Sequence, residues 1–403
     1  MTQPPLFVAG PFHRSWQGRL VCLSCIVLLV CRCKTPNEEL AERRKRYGLI
    51  DQNVFSYGPD KLRVSAGNHC LIIGEYMSLP NILEGRLVLP MICSPLFIIS
   101  NPDLVIAQCK AGVVGSFPAL NARPGPVLEQ WLDYITSELA LYNTRHPDQP
   151  AAPFAVNQIV HKSNNRMEHD LELCAKYKVP IVITSLGARE DVNHAVHAYG
   201  GIVLHDVIDN TFARKAIAKG ADGLIAVAAG AGGHAGRLSP FALLHEIREW
   251  FDGPVALSGA IANGNAILAA QVAGADLAYV GSAFIATAEA NADERYKQMI
   301  VESTASDIVY SNLFTGVHGN YLRQSIINAG LDPDALPESD PSRMNFGSGG
   351  NANAKAWRDI WGAGQGVGAI KRVVHASELV ARFVDEYKAA CRRMDQRLGW
   401  QFH

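Results

Sequence analysis

"ADGLIAVAAGAGGHAG", residues 221–236, decides how this chain is read. From Gly223 to Ala229 it is a continuous apolar run without polar alternation, the pattern of a strand buried on both faces. From Gly230 onward, small residues stand on both sides of His234. A strand that ends in glycines lets backbone come close to a partner, and the imidazole at the centre faces whatever has come close.

The same unit recurs on either side. The other apolar runs are "LVLPMIC", "GVVGSF", "FAVNQI", "VPIVITS", "GIVLHDV", "PVALSG" and "ADLAYVGS", each followed by a polar loop and a segment of helical period. "NPDLVIAQCKAG" opens on Asn101 as a cap with Pro102 at the first helical position, and stops at Gly112. "NTFARKAIAKG", "SPFALLHEIREWF" and "NGNAILAAQVAG" also put a cap residue first. Eight such units in about 200 residues are the count of an α/β fold closed as a (β/α)8 TIM barrel. A doubly wound open sheet is the competing topology. The strand count favours the barrel, as does the clustering of glycine-rich loops after the late strands, where barrels commonly bind phosphate. Residues 283–345 read as a mostly helical insertion after the eighth strand, "SGGNANAK" as a polar loop, and 370–395 as a terminal amphipathic helix.

With 403 residues, 48% hydrophobic and 19% charged, the chain has the composition of a soluble globular protein with a sizeable core. A net charge of -1 gives no electrostatic case for nucleic acid or an anionic membrane. Cys22, Cys25, Cys31 and Cys33 crowd the N-terminus, and the other cysteines stand singly in apolar segments. That usage reads as reduced thiols in a cytoplasmic protein. The apolar run 20–31 falls short of the roughly 20 residues a membrane span needs. It is followed by "RCK" in place of a small-residue cleavage site, which argues against a secretory signal. Residues 1–76 are therefore expected to be an N-terminal extension, poorly ordered or an over-called start, with the barrel domain at 77–403.

In a barrel, functional groups sit at the C-terminal ends of the strands. The runs place Asn157 and Gln158 there, then Thr184 and Ser185, His205 and Asp206, and Gly232, Gly233 and His234. Gly259 with Ala260, and Gly281 with Ser282, follow the last two runs. Those two loops are poor in side chains, and "NGNAILAA" starts a helix just behind the first. Exposed N–H groups and a helix N-terminus make a phosphate cradle without any lysine. "GAGGHA" also matches the dinucleotide fingerprint, but about 20 residues further on the chain reads "PVALSGAIA", with no carboxylate for a ribose. His234 fits a base, or a cation beside an anionic substrate. His205 with Asp206 is its rival, with a packed strand-end histidine as the structural alternative. Cys93 is expected to line the mouth as an unactivated thiol. No spaced set of Cys and His supports a metal site.

In this order and spacing, "LPMICSPLF", "FAVNQI", "KGADGLIAV" with "AGGHAG", "LSGAIANG", "AYVGSAF" and "WGAGQGVG" resemble the nitronate monooxygenase family, formerly called 2-nitropropane dioxygenases. Its relatives include flavin-dependent enoyl-acyl-carrier-protein reductases and NADH:quinone reductases. The resemblance covers roughly residues 80–370 and implies a (β/α)8 barrel with non-covalent FMN. Carried over by position, it implies that Asn157, Asp222 and Gln365 contact the cofactor and that Gly232 and Gly233 pass beneath it. Gly259, Ala260, Gly281 and Ser282 would hold its phosphate. His234 matches the active-site histidine, which assists substrate binding or removes the proton α to a nitro group, while the flavin performs the redox step. The chain departs from the family where Val227, Ala228 and Gly230 replace the usual Q-G-x-E, where Ala260 replaces a glycine, and where Ser282 replaces a threonine.

The leading expectation is thus FMN-dependent oxidation of alkyl nitronates of the propionate 3-nitronate type with molecular oxygen, the small-molecule partner being a nitronate or nitroalkane, without nucleic acid and with a membrane role disfavoured. The missing Gln and Glu leave room for a second enzyme, an FMN-dependent NAD(P)H:quinone or enoyl-thioester reductase. A third expectation is a non-catalytic barrel that binds a phosphorylated ligand. Oligomeric state is left open by the sequence.

Overall fold

Successive residues of a strand face opposite ways, and that alternation sorts the barrel into an inside and an outside. The computed structural model describes residues 79–339 and 359–398. The expected extension, 1–76, and the loop "SGGNANAK" lie outside the described residues.

Along the chain the strands are β1 (Met91–Cys93), β2 (Gly115–Pro118), β3 (Phe154–Ile159), β4 (Ile181–Ser185), β5 (Ile202–Val207), β6 (Gly223–Val227), β7 (Gly233–His234), β8 (Val255–Ser258) and β9 (Leu277–Val280). All but the short β7 pair in parallel, in the order β1-β9-β8-β6-β5-β4-β3-β2. A parallel bridge from Ile92 to Val114 joins the two ends of that order and closes the eight-stranded (β/α)8 barrel. Between the strands run α1 (Pro102–Lys110), α2 (Val127–Arg145), α3 (Met167–Lys176), α4 (Glu190–His197), α5 (Asn210–Ala218), α6 (Pro240–Arg248) and α7 (Gly264–Val272). The short α8 (Ser282–Ile285) follows β9.

Ile92, Val114, Ile183, Leu204, Ile225 and Leu277 meet inside the barrel, and Leu79, Ile82, Leu83 and Leu87 pack against them from the segment before β1. The alternate residues, among them Val182, Val203, Leu224 and Ala278, pack outward with helix residues such as Leu104, Leu244 and Ile267. Each fully buried Leu or Ile contributes roughly 1.5–3 kcal/mol, so both faces of every strand favour apolar residues. This is why the runs do not alternate.

Caps set the helix starts. Asn101 Oδ1 accepts from Leu104 N at 2.8 Å, and Asn263 Oδ1 from Ala266 N at 2.9 Å. At α5 the cap is Asp209, whose Oδ1 accepts from Phe212 N at 2.9 Å, one residue before the expected Asn210.

The insertion after the last barrel strand differs from a mostly helical one. It contains α9 (Glu294–Glu302) and α10 (Arg323–Asn328), and between them an antiparallel hairpin of β10 (Ile308–Ser311) and β11 (Gly319–Leu322). β11 also pairs with β7, Gly319 against His234 and Asn320 against Gly233. Four-residue runs such as "IVYS" and "GNYL" are too short to be told from the helices around them by period alone. The terminal helix, α11 (Ala376–Leu398), starts later than residue 370 and follows a 3-10 turn at Gln365–Ala369. No described helix is long and apolar enough to cross a membrane.

Candidate active site

After β6 the chain turns through glycines that nothing larger could replace. Gly230 has φ +85° and Gly233 φ +67°, both in the left-handed region. A Cβ on Gly232 would stand 2.7 Å from Gly364 N, and one on Gly364 would stand 2.6 Å from Gly230 O. Gly230 O accepts from Ala260 N at 3.1 Å and from Gln365 N at 2.9 Å. Ser282 Oγ accepts from Gly364 N at 2.8 Å, and Asn320 Nδ2 donates to Ala231 O at 2.6 Å. The loops after β6, β8 and β9, the segment at 364–365 and the hairpin are thus joined, through backbone at Gly230 and through the side chains of Ser282 and Asn320.

They wall a cavity of about 1240 Å³ at the C-terminal ends of the strands. Asn157, Gly232, Gly233, His234, Gly259, Ala260, Gly281 and Ser282 all line it. Asp222 does not. It precedes β6, at the end of the strand opposite the mouth, where its Oδ2 accepts from His197 Nε2 at 2.8 Å and from Val203 N at 2.7 Å. Asp222 ties α4 and β5 to β6 and is no cavity residue, which corrects its expected contact with the cofactor. Gln365 lies beside Gly230 with an exposed side chain, while its neighbours Gly364 and Gly366 line the cavity.

His234 is half-buried on β7, and Thr315, from the turn between β10 and β11, holds its Nε2 at 3.0 Å. Thr315 Oγ1 also has Val317 O at 3.0 Å to donate to, an arrangement that suits the Nε2–H tautomer of the ring. Burial pushes the imidazole down to about 4. At pH 7 it is neutral, and in that tautomer Nδ1 carries the basic lone pair.

Also at the mouth, Asn157, Ser185 and Asp206 point inward from β3, β4 and β5. Asn157 Nδ2 donates to Ser185 Oγ at 2.8 Å, and Ser185 Oγ donates to Asp206 Oδ2 at 2.6 Å. Burial lifts Asp206 to about 6, against the hydrogen bonds from Ser185 and from Leu186 N–H. Strand alternation turns His205 the other way. Its Nδ1 pairs with Thr184 Oγ1 at 2.6 Å, and burial pushes it down to about 4. His205 and Asp206 therefore make no dyad. Gln158 also faces outward, with Nε2 donating to Cys174 Sγ at 3.4 Å. Cys93 belongs to the outer layer, fully buried and with its thiol pushed up by burial, so Ser94 lines the mouth in its place.

The expected phosphate cradle is only partly open. Ala260 takes φ +54°, the left-handed conformation that costs a side-chain-bearing residue roughly 1–2 kcal/mol, and its N–H is spent on Gly230 O. The N-terminus of α7 is occupied as well, since Gly264 N donates to Glu386 Oε2 of α11 at 2.8 Å. Gly259 still lines the cavity, as does Gly281 with Ser282 at the start of α8, where first-turn N–H groups have no intrahelical acceptor.

Thr315, Ser258 and Tyr279 also line the cavity and were not singled out from the sequence. Inward parity along β8 and β9 would have found the last two. Nothing local marks Thr315. Around the rim stand the exposed side chains of Ile98, Ile208, Phe212 and Leu238. Among the described residues no three of His, Cys, Asp and Glu group to hold a metal.

A closed barrel whose mouth is walled by glycine backbone and faced by a neutral histidine is the frame of a cofactor-dependent enzyme. Residues 86–386 match the nitronate monooxygenase family model, and the chain belongs to that family of flavin-dependent oxidoreductases. A nitronate monooxygenase from Paraburkholderia phytofirmans is 27% identical over 354 residues, 76% of this chain and 94% of that protein. Among solved structures, a nitroalkane oxidase from Streptomyces ansochromogenes superposes with TM-score 0.63 at 23% identity, covering 77% of this chain and 98% of its own. FabK from Thermotoga maritima gives TM-score 0.62 at 21% identity, over 78% and 97%. These two likenesses bear on the fold.

Proposed function

We propose that the protein binds FMN in the barrel mouth and oxidises alkyl nitronates of the propionate 3-nitronate type with molecular oxygen. His234 is the base or anion-binding group beside the substrate. The observation that carries this reading is the neutral ring of His234, held by Thr315 in a cavity walled by glycine.

The residues present fit the cofactor. Gly230, Gly232, Gly233 and Gly364 give the cavity a stretch of wall without side chains, along which a flat ring system could approach backbone, and at Gly232 and Gly364 the close packing of the two loops leaves no room for a Cβ. The cavity of about 1240 Å³ exceeds the roughly 300–1,000 Å³ of ordinary ligand pockets, enough for cofactor and substrate together. Gly281 and Ser282 at α8 would hold the phosphate, and Asn157 would contact the ring. When bound, FMN supplies the electron-accepting chemistry and the reaction with oxygen.

The chain's own residues bind, orient and handle the proton. For a nitroalkane, the neutral imidazole of His234 would take the proton from the α-carbon, with Thr315 holding the ring. For a nitronate, already deprotonated, the same ring orients the anion and gains a proton only as the anion raises its pKa. Among the described residues Cys93, Cys109 and Cys174 are buried thiols outside any disulfide, in keeping with a reducing, cytoplasmic setting.

The exposed apolar rim of Ile98, Ile208, Phe212 and Leu238 favours a second reading, a reductase fed by NAD(P)H with a quinone or enoyl thioester as acceptor. One experiment separates the two. The full chain is purified, its visible spectrum recorded, and propionate 3-nitronate or NADH added without oxygen. Loss of flavin colour with nitronate, abolished in His234→Asn with flavin still bound, is the expected result. Bleaching by NADH alone would move the assignment to the reductase, and a protein that takes up no FMN would overturn both.

A further inference from the structure

Both N–H bonds of the Asn157 amide are committed, to Ile183 O at 3.1 Å and to Ser185 Oγ at 2.8 Å. Asn157 thus has only its carbonyl oxygen for a ligand in the cavity, and that oxygen can only accept. Asp206 is what makes Ser185 an acceptor toward Asn157. A serine has one hydroxyl proton, and here it goes to Asp206 Oδ2 at 2.6 Å. The carboxylate also takes the N–H of Leu186, which holds φ +62°, a left-handed conformation uncommon outside glycine. The backbone is bent to serve this carboxylate.

We infer that Asp206 is a positioning residue for the cofactor: acting through Ser185, it sets the Asn157 amide so that the flavin meets a carbonyl oxygen and not an NH2 group. This rests on the reading that FMN occupies the barrel mouth. The oxidised flavin ring carries an N–H donor for such an oxygen. An ionised Asp206 has only lone pairs and requires the serine proton. A protonated Asp206 can itself donate to Ser185, which frees the hydroxyl proton for Asn157 and loosens the amide. Burial brings that event near neutrality, at about 6.

The groups around Asp206 are few. Ser185 and Leu186 N–H face it from the end of β4. From β9 comes the Tyr279 phenol, raised first by burial and then by the Asp206 charge. His205, the neighbour on β5, is turned to Thr184, and burial pushes both it and His234 down to about 4. His161 and His318 also wall the cavity, so the assignment needs the Asp206 variants.

The test follows flavin absorbance of the FMN-bound full chain between about pH 4.5 and 8, a window that spans the about 6 of Asp206. FMN affinity is measured alongside by fluorescence quenching. Wild type should show a reversible spectral shift in this window, its midpoint at or below the about 6 of the cofactor-free chain, because a flavin that favours the ionised carboxylate lowers it. Asp206→Asn should lose the shift yet bind FMN within about threefold of wild type, because its amide oxygen still accepts from Ser185. Ser185→Ala and Asp206→Leu should lose the shift and bind about tenfold more weakly. Should Asp206→Leu fail to fold, the serine variant, which removes a single oxygen, carries the test. A shift that persists in Asp206→Asn, or a Ser185→Ala protein unchanged in both readouts, overturns the relay alone. A wild-type chain that takes up no FMN overturns the cofactor reading, and the relay with it.

Discussion

His234 and Thr315 are 81 residues apart in the chain, and their side chains meet at 3.0 Å. They meet because β7 is the third strand of the small sheet built by the insertion hairpin. The hairpin therefore reaches the cavity and holds the ring through Thr315.

Thr315→Val keeps the shape of the side chain and removes the hydroxyl that holds Nε2. The expected result is a fall in kcat of about tenfold on nitronate with little change in KM, since a lost hydrogen bond of this kind is worth about 1–2 kcal/mol. Thr315→Ser should restore most of the rate. Oxygen uptake at several nitronate concentrations checks both, and a Val variant as fast as wild type would remove Thr315 from the account.

Ala260 shows what a departure from the family pattern costs. At φ +54° its side chain opposes the backbone, roughly 1–2 kcal/mol by conformation, partly offset by the about 0.4–1 kcal/mol that alanine saves in the unfolded chain. Ala260→Gly should accordingly stabilise the protein by up to about 1 kcal/mol. FMN affinity should hold, because the N–H of residue 260 is spent on Gly230 O either way. Urea denaturation and an FMN titration read the two effects separately.

The junction of α7 and α11 gives a third expectation. A Cβ on Gly264 would stand 2.3 Å from Phe383 O and from Tyr387 N, closer than side-chain motion can relieve. Gly264→Ala should therefore destabilise by about 3 kcal/mol or more, as forced overpacking does. Glu386→Ala, which only strips the carboxylate from the helix start, should cost about 1 kcal/mol. Thermal melts of the two variants rank them, and equal melting temperatures would show that the helices do not pack this closely in solution.

The barrel was legible in the sequence because two-sided burial writes each strand as an unbroken apolar run, as in "VPIVITS" and "FAVNQI". The glycine loop was legible too, since Gly230 and Gly233 require left-handed backbone that other residues resist. Other features lacked a local signal. Thr315 reaches His234 only through strand pairing across the insertion, a long-range event that no period records. Gly264 looked like an open helix N-terminus until Glu386, from the far end of the chain, took its N–H. The Asp206 relay needed strand parity as well as position: His205 and Asp206 read as one pair along the chain, yet the pleat sends them to opposite faces.

Two signs compete in the acid stability of the cofactor-free protein. His205 and His234 are both pushed down to about 4 from an ordinary 6.5, so their contribution is full above pH 6.5 and is lost as pH falls through about 4. Asp206 is raised from 3.8 to about 6, so its contribution is full below pH 3.8 and is lost as pH rises through about 6. Between about pH 6.5 and 4 two groups lose stability and one regains it, and at about 1.4 kcal/mol per unit the net loss is of order 3 kcal/mol. Asp206→Asn removes the charge that burial opposes. It should stabilise the cofactor-free protein at pH 7.5, by less and less as the pH falls, until the two proteins converge near pH 4. Urea midpoints at pH 7.5, 5.5 and 4 measure this, and a gain that stayed constant with pH would mean that Asp206 is not ionised and buried at neutral pH.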